Sequence, residues 1–194
     1  GITHFQGANL WEMTLSGVIV RTANISSVAP TVAPMTNEPT GVAWNPGNGH
    51  YYVTDDDARR VYDLNPGTDG LPGTADDTWT SFDTNAAGNG DPEGITYDSV
   101  HNRIFVADGV NAEIYEYTTA GALMSHFDVQ VYGVTDPESV EFNPYSGTLY
   151  VLSNAGNRII VETTTSGALL RTMDVSANNA IAPAGLAYAP ASNN

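Results

Sequence analysis

The sequence predicts an all-β fold, a β-propeller of four-stranded antiparallel blades, and three observations support this prediction. First, a strand-entry motif of an acidic residue (alanine in the last copy), proline, a variable residue and a small residue recurs, with its prolines at Pro39, Pro92, Pro137 and Pro183. Second, short segments of alternating apolar and polar residues follow, separated by turn residues. Third, no segment has the 3.6-residue apolar period of an amphipathic helix. Four short antiparallel strands per repeat are typical of propeller blades.

Each repeat predicts its four strands in the same order. The first strand follows the proline, and the second strand, as in residues 104–106, comes after a polar turn. An acidic or amide-rich hairpin leads to the third strand, and a further turn leads to the fourth, as in residues 124–127. We therefore predict one domain, residues 1–194, of about four blades, at residues 38–84, 91–129 and 136–175, with a composite blade from 1–27 plus 183–194.

The two ends of the chain are predicted to meet in this composite blade. Residues 10–13 and 18–21 match third and fourth strands, residues 2–5 match a weak second strand, and residues 186–188 match a first strand. Pairing among them would close the ring and remove exposed sheet edges. Two alternatives stay open: the chain is part of a propeller with more blades, or its last strand completes a blade of a neighbouring molecule.

The charge composition excludes several classes of function. The 194 residues include 22 acidic residues, six arginines and no lysine, which gives a net charge of −16. A nucleic-acid binder or a polybasic membrane anchor needs a basic surface, which this chain cannot form. No apolar run reaches the roughly 18 residues needed to span a bilayer. The absence of cysteine excludes disulfides, cysteine-ligated zinc and thiol catalysis.

The blade topology is predicted to gather carboxylates on one face. Loops that enter first strands and loops that join second to third strands lie on the same face of a propeller, and Glu93 and Glu138 would lie there near the axis. Crowded carboxylates repel unless a proton or a cation bridges them, and all-oxygen ligand sets favour calcium or magnesium. We therefore predict an axial cation site at Glu93 and Glu138, with simple turn formation as the alternative. Turn formation is the preferred explanation for the acids that precede the prolines, which are Glu38, Asp91 and Asp136.

The first repeat carries an insertion, residues 67–78, between its third and fourth strands. Its three glycines let the backbone turn sharply and expose carbonyl groups. Asp69, Asp76 and Asp77 supply carboxylates, and Leu71 and Thr74 supply main-chain carbonyls. This donor set predicts a calcium site, although the spacing differs from that of an EF-hand. A solvated loop rich in Asp and Gly is the alternative explanation.

No catalytic residue is predicted. The sequence has no G-x-S-x-G motif, and its four histidines share no spacing typical of a metal site or a catalytic pair. The aromatic residues that recur at one position of the repeat are predicted to form core between blades; they are Trp44, Tyr97, Phe142 and Tyr188.

The strand-entry motif at residues 92–98 and the acidic hairpin after the second strand resemble those of several known families. They are similar to NHL, gluconolactonase-like, phytase-like and SdiA-regulated propellers. The gluconolactonase-like resemblance implies an axial calcium held partly by a glutamate at a strand entry, and Glu93 and Glu138 match that position in kind. Those enzymes have six blades. Phytase-like propellers bind phosphate with several lysines and arginines, and this chain departs from them in having no lysine.

These observations lead to a functional expectation with two alternatives. We expect an extracellular, calcium-binding propeller that acts as a structural or interaction module, with a protein or glycan ligand as its partner. The first alternative is a calcium-dependent hydrolase of lactonase or phosphoesterase type, with Glu93 or Glu138 as ligand or base. The second is a self-assembling subunit that forms a homo-oligomer or filament by exchanging its terminal strand.

Overall fold

The computed structural model describes residues 9–26, 35–154, 158–178 and 181–189. Within these ranges the secondary structure is β-strand and single-turn 3-10 helix. None of these residues forms a helix that is both long and apolar enough to cross a bilayer. The strands are β1 (Asn9–Met13), β2 (Ile19–Asn24), β3 (Pro39–Trp44), β4 (Tyr51–Asp55), β5 (Arg60–Asn65), β6 (Thr78–Asp83), β7 (Pro92–Asp98), β8 (Arg103–Asp108), β9 (Glu113–Thr118), β10 (Leu123–Asp128), β11 (Pro137–Asn143), β12 (Thr148–Ser153), β13 (Ile159–Thr164) and β14 (Leu169–Asp174).

The strands form four antiparallel sheets. Three are four-stranded blades in sequential order, β3 to β6, β7 to β10 and β11 to β14, and the fourth is the two-stranded sheet of β1 and β2. The 3-10 turns Asn85–Ala87, Gln130–Tyr132 and Ser176–Asn178 follow the outer strands of the three blades. This arrangement confirms the predicted all-β propeller of antiparallel blades.

Side chains that point alternately to the two faces of each strand fill the spaces between neighbouring sheets. Val61 of β5 packs in the cluster between the first and second blades, whereas Tyr62 and Leu64 pack between the first blade and the β1–β2 sheet. A third cluster lies between the second and third blades. Because successive side chains point to opposite faces of a strand, each blade supplies core on both of its sides.

The small residue of the strand-entry motif lets the inner strands approach one another. A Cβ on Gly41 of β3 would lie 2.9 Å from the carbonyl oxygen of Glu93, and a Cβ on Gly94 of β7 would lie 2.5 Å from the Cα of Ser139 in β11. Neither space can hold a side chain without a shift of the main chain. The motif glycines therefore set the spacing of β3, β7 and β11 around the axis.

The composite blade differs from the prediction. β1 and β2 pair with each other, as expected for third and fourth strands, but residues 181–189 form no strand beside them. Their main chain instead donates to side chains of β11, from Leu186 N to Ser139 Oγ at 3.2 Å and from Tyr188 N to Glu141 Oε1 at 3.2 Å. The expected second strand at residues 2–5 lies outside the described residues.

The C-terminal segment nevertheless occupies the place of a further inner strand. Phe142 and Tyr188 hold the same position in their repeats. Phe142 N donates to Thr96 Oγ1 at 3.0 Å, just as Tyr188 N donates to Glu141 Oε1. The segment therefore follows β11 in the way that β11 follows β7. It differs from a blade strand because its described contacts include no backbone ladder to a second strand.

The recurring aromatic position is only partly core, which corrects the prediction. Phe142 is buried between the second and third blades, and Tyr97 is partly buried, with its ring centroid 6.1 Å from that of Tyr52. Trp44 is exposed. Because Tyr97 and Phe142 pack toward the preceding blade, the equivalent Trp44 faces the preceding sheet. In the described structure that sheet has only the two strands β1 and β2.

Candidate metal centre at the axial face

Six carboxylates converge at one end of the inner strands. The charges that add to the raised pKa values of Asp91 and Glu93 come from all three four-stranded blades. They come from the entry to β7 (Asp91, Glu93), the entry to β11 (Asp136, Glu138), the β4–β5 hairpin (Asp56) and the end of β8 (Asp108).

Asp56, Asp91 and Glu93 form the tightest group. One carboxylate oxygen from each lies within 4.8 Å of the others, and all three side chains are half-buried. In the ranges that the structure describes, this is the only such group of three or more His, Cys, Asp or Glu side chains. A set of carboxylate oxygens with this spacing can contact a single cation, and its hard, oxygen-only character suits calcium.

Burial and mutual repulsion raise the pKa of two members of this group. Burial raises the pKa of Asp91 to about 7, and the neighbouring Asp56 adds to the shift as a hydrogen-bond partner and as a charge. Burial also raises the pKa of Glu93 to about 8, with further contributions from the charges of Glu138 and Asp91. Both groups therefore bind protons near neutral pH, which is the behaviour of a site with excess negative charge.

The main chain of Gly109 closes one side of the group. Gly109 N donates to the carbonyl oxygen of Asp91 at 3.1 Å. A Cβ at this position would lie 2.6 Å from Asp91 Oδ2 and 3.3 Å from Glu93 Cγ, so only glycine leaves room for both carboxylates. Asp108, the preceding residue, is fully buried and accepts hydrogen bonds from amides of neighbouring turns. Asp108 thus has a structural role at the site.

Glu138 lies beside this group. Asn154 Nδ2 donates to Glu138 Oε1 at 2.8 Å, which fixes the direction of the carboxylate. Glu138 also contributes to the raised pKa of Glu93. The structure therefore places both predicted axial glutamates on one face; that they hold an ion stays a prediction.

A cavity of about 280 Å³ opens next to Glu138 along the axis. The inner strands, the C-terminal segment and the start of β1 line it, with Gly41, Ser139, Leu186 and Leu10 among the contributing residues. Glu141 also lines the cavity, and burial raises its pKa. The axial face thus combines a carboxylate group with an adjoining cavity.

The inserted loop, residues 67–78, is organised by Asp76 and Asp77. Asp76 Oδ2 accepts hydrogen bonds from Thr68 N at 2.6 Å and Thr68 Oγ1 at 2.9 Å, and its Oδ1 accepts one from Thr74 Oγ1 at 2.8 Å. These bonds lower the pKa of Asp76 to about 2. Asp77 Oδ2 accepts a bond from Gly73 N at 2.6 Å. The two carboxylates therefore bind donors of their own loop.

The other predicted ligands of this loop are Asp69, Leu71 and Thr74. Asp69 is exposed, and its Oδ1 accepts a hydrogen bond from Leu71 N at 2.8 Å. Among the described residues, Asp69, Asp76 and Asp77 do not gather their carboxylates within 4.8 Å of one another. Calcium binding at this loop stays a prediction.

A comparison with protein families shows which family this chain belongs to. Residues 4–182 match the family model described as SdiA-regulated. The chain belongs to the SdiA-regulated family. This membership confirms one of the resemblances stated from the sequence. No curated protein was found to match the chain.

Solved structures similar to this family member are also propeller-like. Virginiamycin B lyase from Staphylococcus aureus is 20% identical, with a TM-score of 0.57 over 86% of this chain and 48% of that chain. A nidogen/laminin complex is 16% identical, with a TM-score of 0.61 over 86% and 58%. A putative 6-phosphogluconolactonase from Bacteroides uniformis is 10% identical, with a TM-score of 0.59 over 86% and 51%. The likeness shows the fold alone, and the chain spans about half the length of these structures.

Two members of the carboxylate group are not among the ligands that the sequence predicts. From the sequence, Asp91 is explained by the turn that precedes Pro92. Asp56 is one of three consecutive aspartates in a hairpin, and the sequence does not distinguish among them. The structure separates these aspartates, because buried Asp55 binds Thr36 and the Ala58 amide while Asp56 reaches Asp91. The signal available in the sequence is the pairing of an acidic hairpin with an acidic strand entry in the next repeat.

Proposed function

We propose that this SdiA-regulated family member is an extracellular calcium-binding propeller that serves as a structural or interaction module, and that calcium binds at Asp56, Asp91 and Glu93. The observation that carries the proposal is the approach of these three carboxylates to within 4.8 Å of one another. The charged groups that contribute most to the shifted pKa values of Asp91 and Glu93 are themselves carboxylates.

The electrostatics of the group favour a bound cation. Folding half-buries the three carboxylates and brings Glu138 and Asp136 close to them, which destabilises the charged forms. A proton relieves part of this repulsion, and a divalent cation relieves more because it neutralises two charges at once. Calcium at this position would bridge the first blade to the second, through Asp56 on one side and Asp91 and Glu93 on the other.

The donor set also supports an extracellular location. Three half-buried carboxylates would form a calcium site of modest affinity. Extracellular calcium modules of this kind bind with dissociation constants of about 0.1–1 mM, which match calcium concentrations outside cells. The absence of cysteine and lysine and the net charge of −16 are compatible with this environment.

The inserted loop is a second proposed calcium position, with Asp69, Asp76 and Asp77 and the carbonyls of Leu71 and Thr74 as ligands. Asp76 is ionised at all moderate pH values because its hydrogen bonds hold its pKa at about 2. A cation at this loop would share carboxylates that already accept bonds from Thr68 and Gly73. Its binding is therefore expected to be weaker than binding at the axial face.

The melting temperature in calcium, in magnesium and in EDTA tests the proposal. Calcium at tenfold excess over its dissociation constant stabilises the folded state by about 1.4 kcal/mol, and for a chain of this size the melting temperature then rises by about 3–6 °C. Glu93→Gln removes one ligand charge, and we expect it to abolish most of the rise.

A matched control separates the site from general charge effects. Asp57→Asn removes the same charge from the residue next to Asp56 in the same hairpin, and it should keep the calcium-dependent rise. An equal rise in wild type and Glu93→Gln would reject the axial site.

The cavity beside Glu138 favours a second candidate, a calcium-dependent hydrolase of lactonase or phosphoesterase type. A calcium ion at the axial face would polarise a carbonyl or phosphoryl oxygen of a substrate in that cavity. Glu138 lines the cavity and accepts a hydrogen bond from Asn154, and in this candidate it would act as a calcium ligand or as the base. Turnover of a lactone or phosphoester panel should require calcium and fall in Glu138→Gln. Turnover that persists in EDTA and in this variant would reject the calcium-dependent mechanism at Glu138, and no turnover of the panel in calcium would reject the hydrolase.

A further inference from the structure

One kind of contact recurs between neighbouring sheets of this propeller. The turn before the outer strand of one blade places a glycine against the outer strand of the preceding sheet. Gly121 packs in this way on Phe82, and Gly167 packs on Phe127, so close that a Cβ would overlap the ring. In the first blade the inserted loop takes this role, with Gly73 packed on Ala23 of β2.

These contacts use equivalent residues. The residue that receives the glycine is the next to last of its outer strand in all three cases. In the two regular hairpins the glycine has positive φ, and its amide donates to the threonine three residues earlier, from Gly121 to Thr118 and from Gly167 to Thr164. The contact is therefore a repeated joint between sheets.

Both halves of one further joint are present and do not meet. The Gly17 hairpin has the same form, with a φ of 82° and a 2.9 Å bond from Gly17 N to Thr14 O, but no described atom lies within 4 Å of the position that a Cβ on Gly17 would take. Met173 is the next-to-last residue of β14, and it is not among the nearest neighbours of any glycine that the structure describes. Gly17 and Met173 are therefore the unused halves of the same joint.

One face of β1 also carries apolar side chains that lack the packing of their equivalents in β9. The pairing registers make Trp11 and Met13 equivalent to Tyr115 and Tyr117 of β9, because Asn9 pairs with Asn24 as Glu113 pairs with Asp128. Tyr115 and Tyr117 pack toward the preceding blade and are 3% and 0% exposed, whereas Trp11 and Met13 are 54% and 57% exposed. In the part of the chain that the structure describes, the side of β1 that would pack on a preceding blade is thus left exposed.

We propose that this chain associates head to tail with a second copy, with the β1 face of one copy (Trp11, Met13 and the Gly17 hairpin) docking on the β14 face (Met173 and the side of the third blade) of the other. A second copy is the occupant because one chain carries both halves of the joint that it makes three times internally. The contact is heterologous, and two such joints close a symmetric pair.

The molar mass in solution, measured by light scattering over a concentration series, tests the proposal. We expect a species of twice the 20.5 kDa chain mass. Trp11→Glu places a charge on the β1 face and Met173→Glu places one on the β14 face, and each variant should fall to the chain mass. Val100→Glu, which adds the same charge to an exposed apolar residue in the turn after β7, should keep the doubled mass. Thermal melts establish that each variant is folded.

A mixing experiment tests the head-to-tail arrangement itself. Trp11→Glu retains an intact β14 face, and Met173→Glu retains an intact β1 face. An equimolar mixture should therefore recover the doubled mass through one intact joint, although each variant alone stays at the chain mass. A wild-type chain that stays at 20.5 kDa at every concentration, or a mixture of folded variants that recovers nothing, would overturn the proposal.

Discussion

Thr54 Oγ1 donates a hydrogen bond of 2.6 Å to the main-chain carbonyl oxygen of Glu93. Thr54 belongs to β4 in the first blade and Glu93 belongs to β7 in the second, so the bond ties a site residue to the neighbouring blade. Thr40 Oγ1 also approaches this carbonyl, at 3.3 Å. A buried, neutral hydroxyl therefore helps to hold Glu93 beside Asp56 across the blade boundary.

We expect Thr54→Val to weaken both the fold and the site. The substitution keeps the shape of the side chain but removes a buried hydrogen bond, which costs about 1 kcal/mol of unfolding free energy. A loss of the same size at the site corresponds to about a fivefold weaker affinity for calcium. Denaturant unfolding and calcium titration measure the two effects, and Thr54→Ser, which keeps the hydroxyl, should retain the affinity. Equal affinity in wild type and Thr54→Val would show that the bond does not position Glu93.

Gly94→Ala tests the close approach of the inner strands. The added methyl group would lie 2.5 Å from the Cα of Ser139, and forcing such overlap into a packed region costs about 1–3 kcal/mol. Gly185→Ala is the matched control, since no described atom lies within 4 Å of its Cβ position, and its effect should stay within about 0.5 kcal/mol. Comparable unfolding free energies for the two variants would contradict the packing around the axis.

The calcium-free protein should lose stability as the pH rises. Burial and repulsion raise the pKa of Asp91 to about 7 and that of Glu93 to about 8, from 3.8 and 4.5 for unburied side chains. The folded state therefore binds these protons more tightly than the unfolded chain does. The resulting stabilisation is fully present below about pH 4 and is lost as the pH rises to about 8.

Glu93→Gln isolates this pH dependence. The variant is neutral at position 93 at every pH, so its melting temperature in EDTA should fall less steeply than that of wild type between about pH 5 and pH 8, the range between the unburied pKa of Glu93 and its raised value. At pH 8 without calcium, Glu93→Gln should be the more stable protein. Parallel melting curves for the two proteins across this range would show that Glu93 does not titrate as the burial and repulsion require.

Asp76→Asn should loosen the inserted loop. The substitution replaces one of the carboxylate oxygens that accept bonds from Thr68 and Thr74. Hydrogen exchange at the Thr68 amide should become several-fold faster, because this amide donates to Asp76 Oδ2 at 2.6 Å. Asp69→Asn is the control, since Asp69 accepts its bond from Leu71 instead. Unchanged exchange at Thr68 in Asp76→Asn would mean that the carboxylate does not organise the loop.

The blade pattern was predictable because it depends on local sequence. Proline at the strand entry, strict alternation and regularly spaced turns act within each repeat, so the three four-stranded blades follow from them. The composite blade depends on contacts between the two ends of the chain. Residues 186–188 have the pattern of a first strand, but their amides bind Ser139 and Glu141 side chains of β11, and repeat patterns do not specify that choice.

The position of the candidate site was predictable from the sequence, but the carboxylates that form it were not. Topology alone places Glu93 and Glu138 on one face with the acidic hairpins. Which carboxylates meet depends on how each hairpin is anchored. Asp55 accepts hydrogen bonds from Thr36 and from the Ala58 amide, whereas Asp56 approaches Asp91. Likewise, the composition of the inserted loop indicates oxygen donors, but the hydrogen bonds that occupy Asp76 and Asp77 depend on the folded loop.

The most direct test of the axial site is a calorimetric calcium titration of wild type and of the Asp91→Asn/Glu93→Gln double variant after removal of metal with EDTA. We expect the wild type to bind one more calcium ion per chain than the double variant, with a dissociation constant of about 0.1–1 mM for that ion. Thermal melts must show that the double variant is folded. The same stoichiometry and affinity in both proteins would contradict the assignment of calcium to Asp56, Asp91 and Glu93.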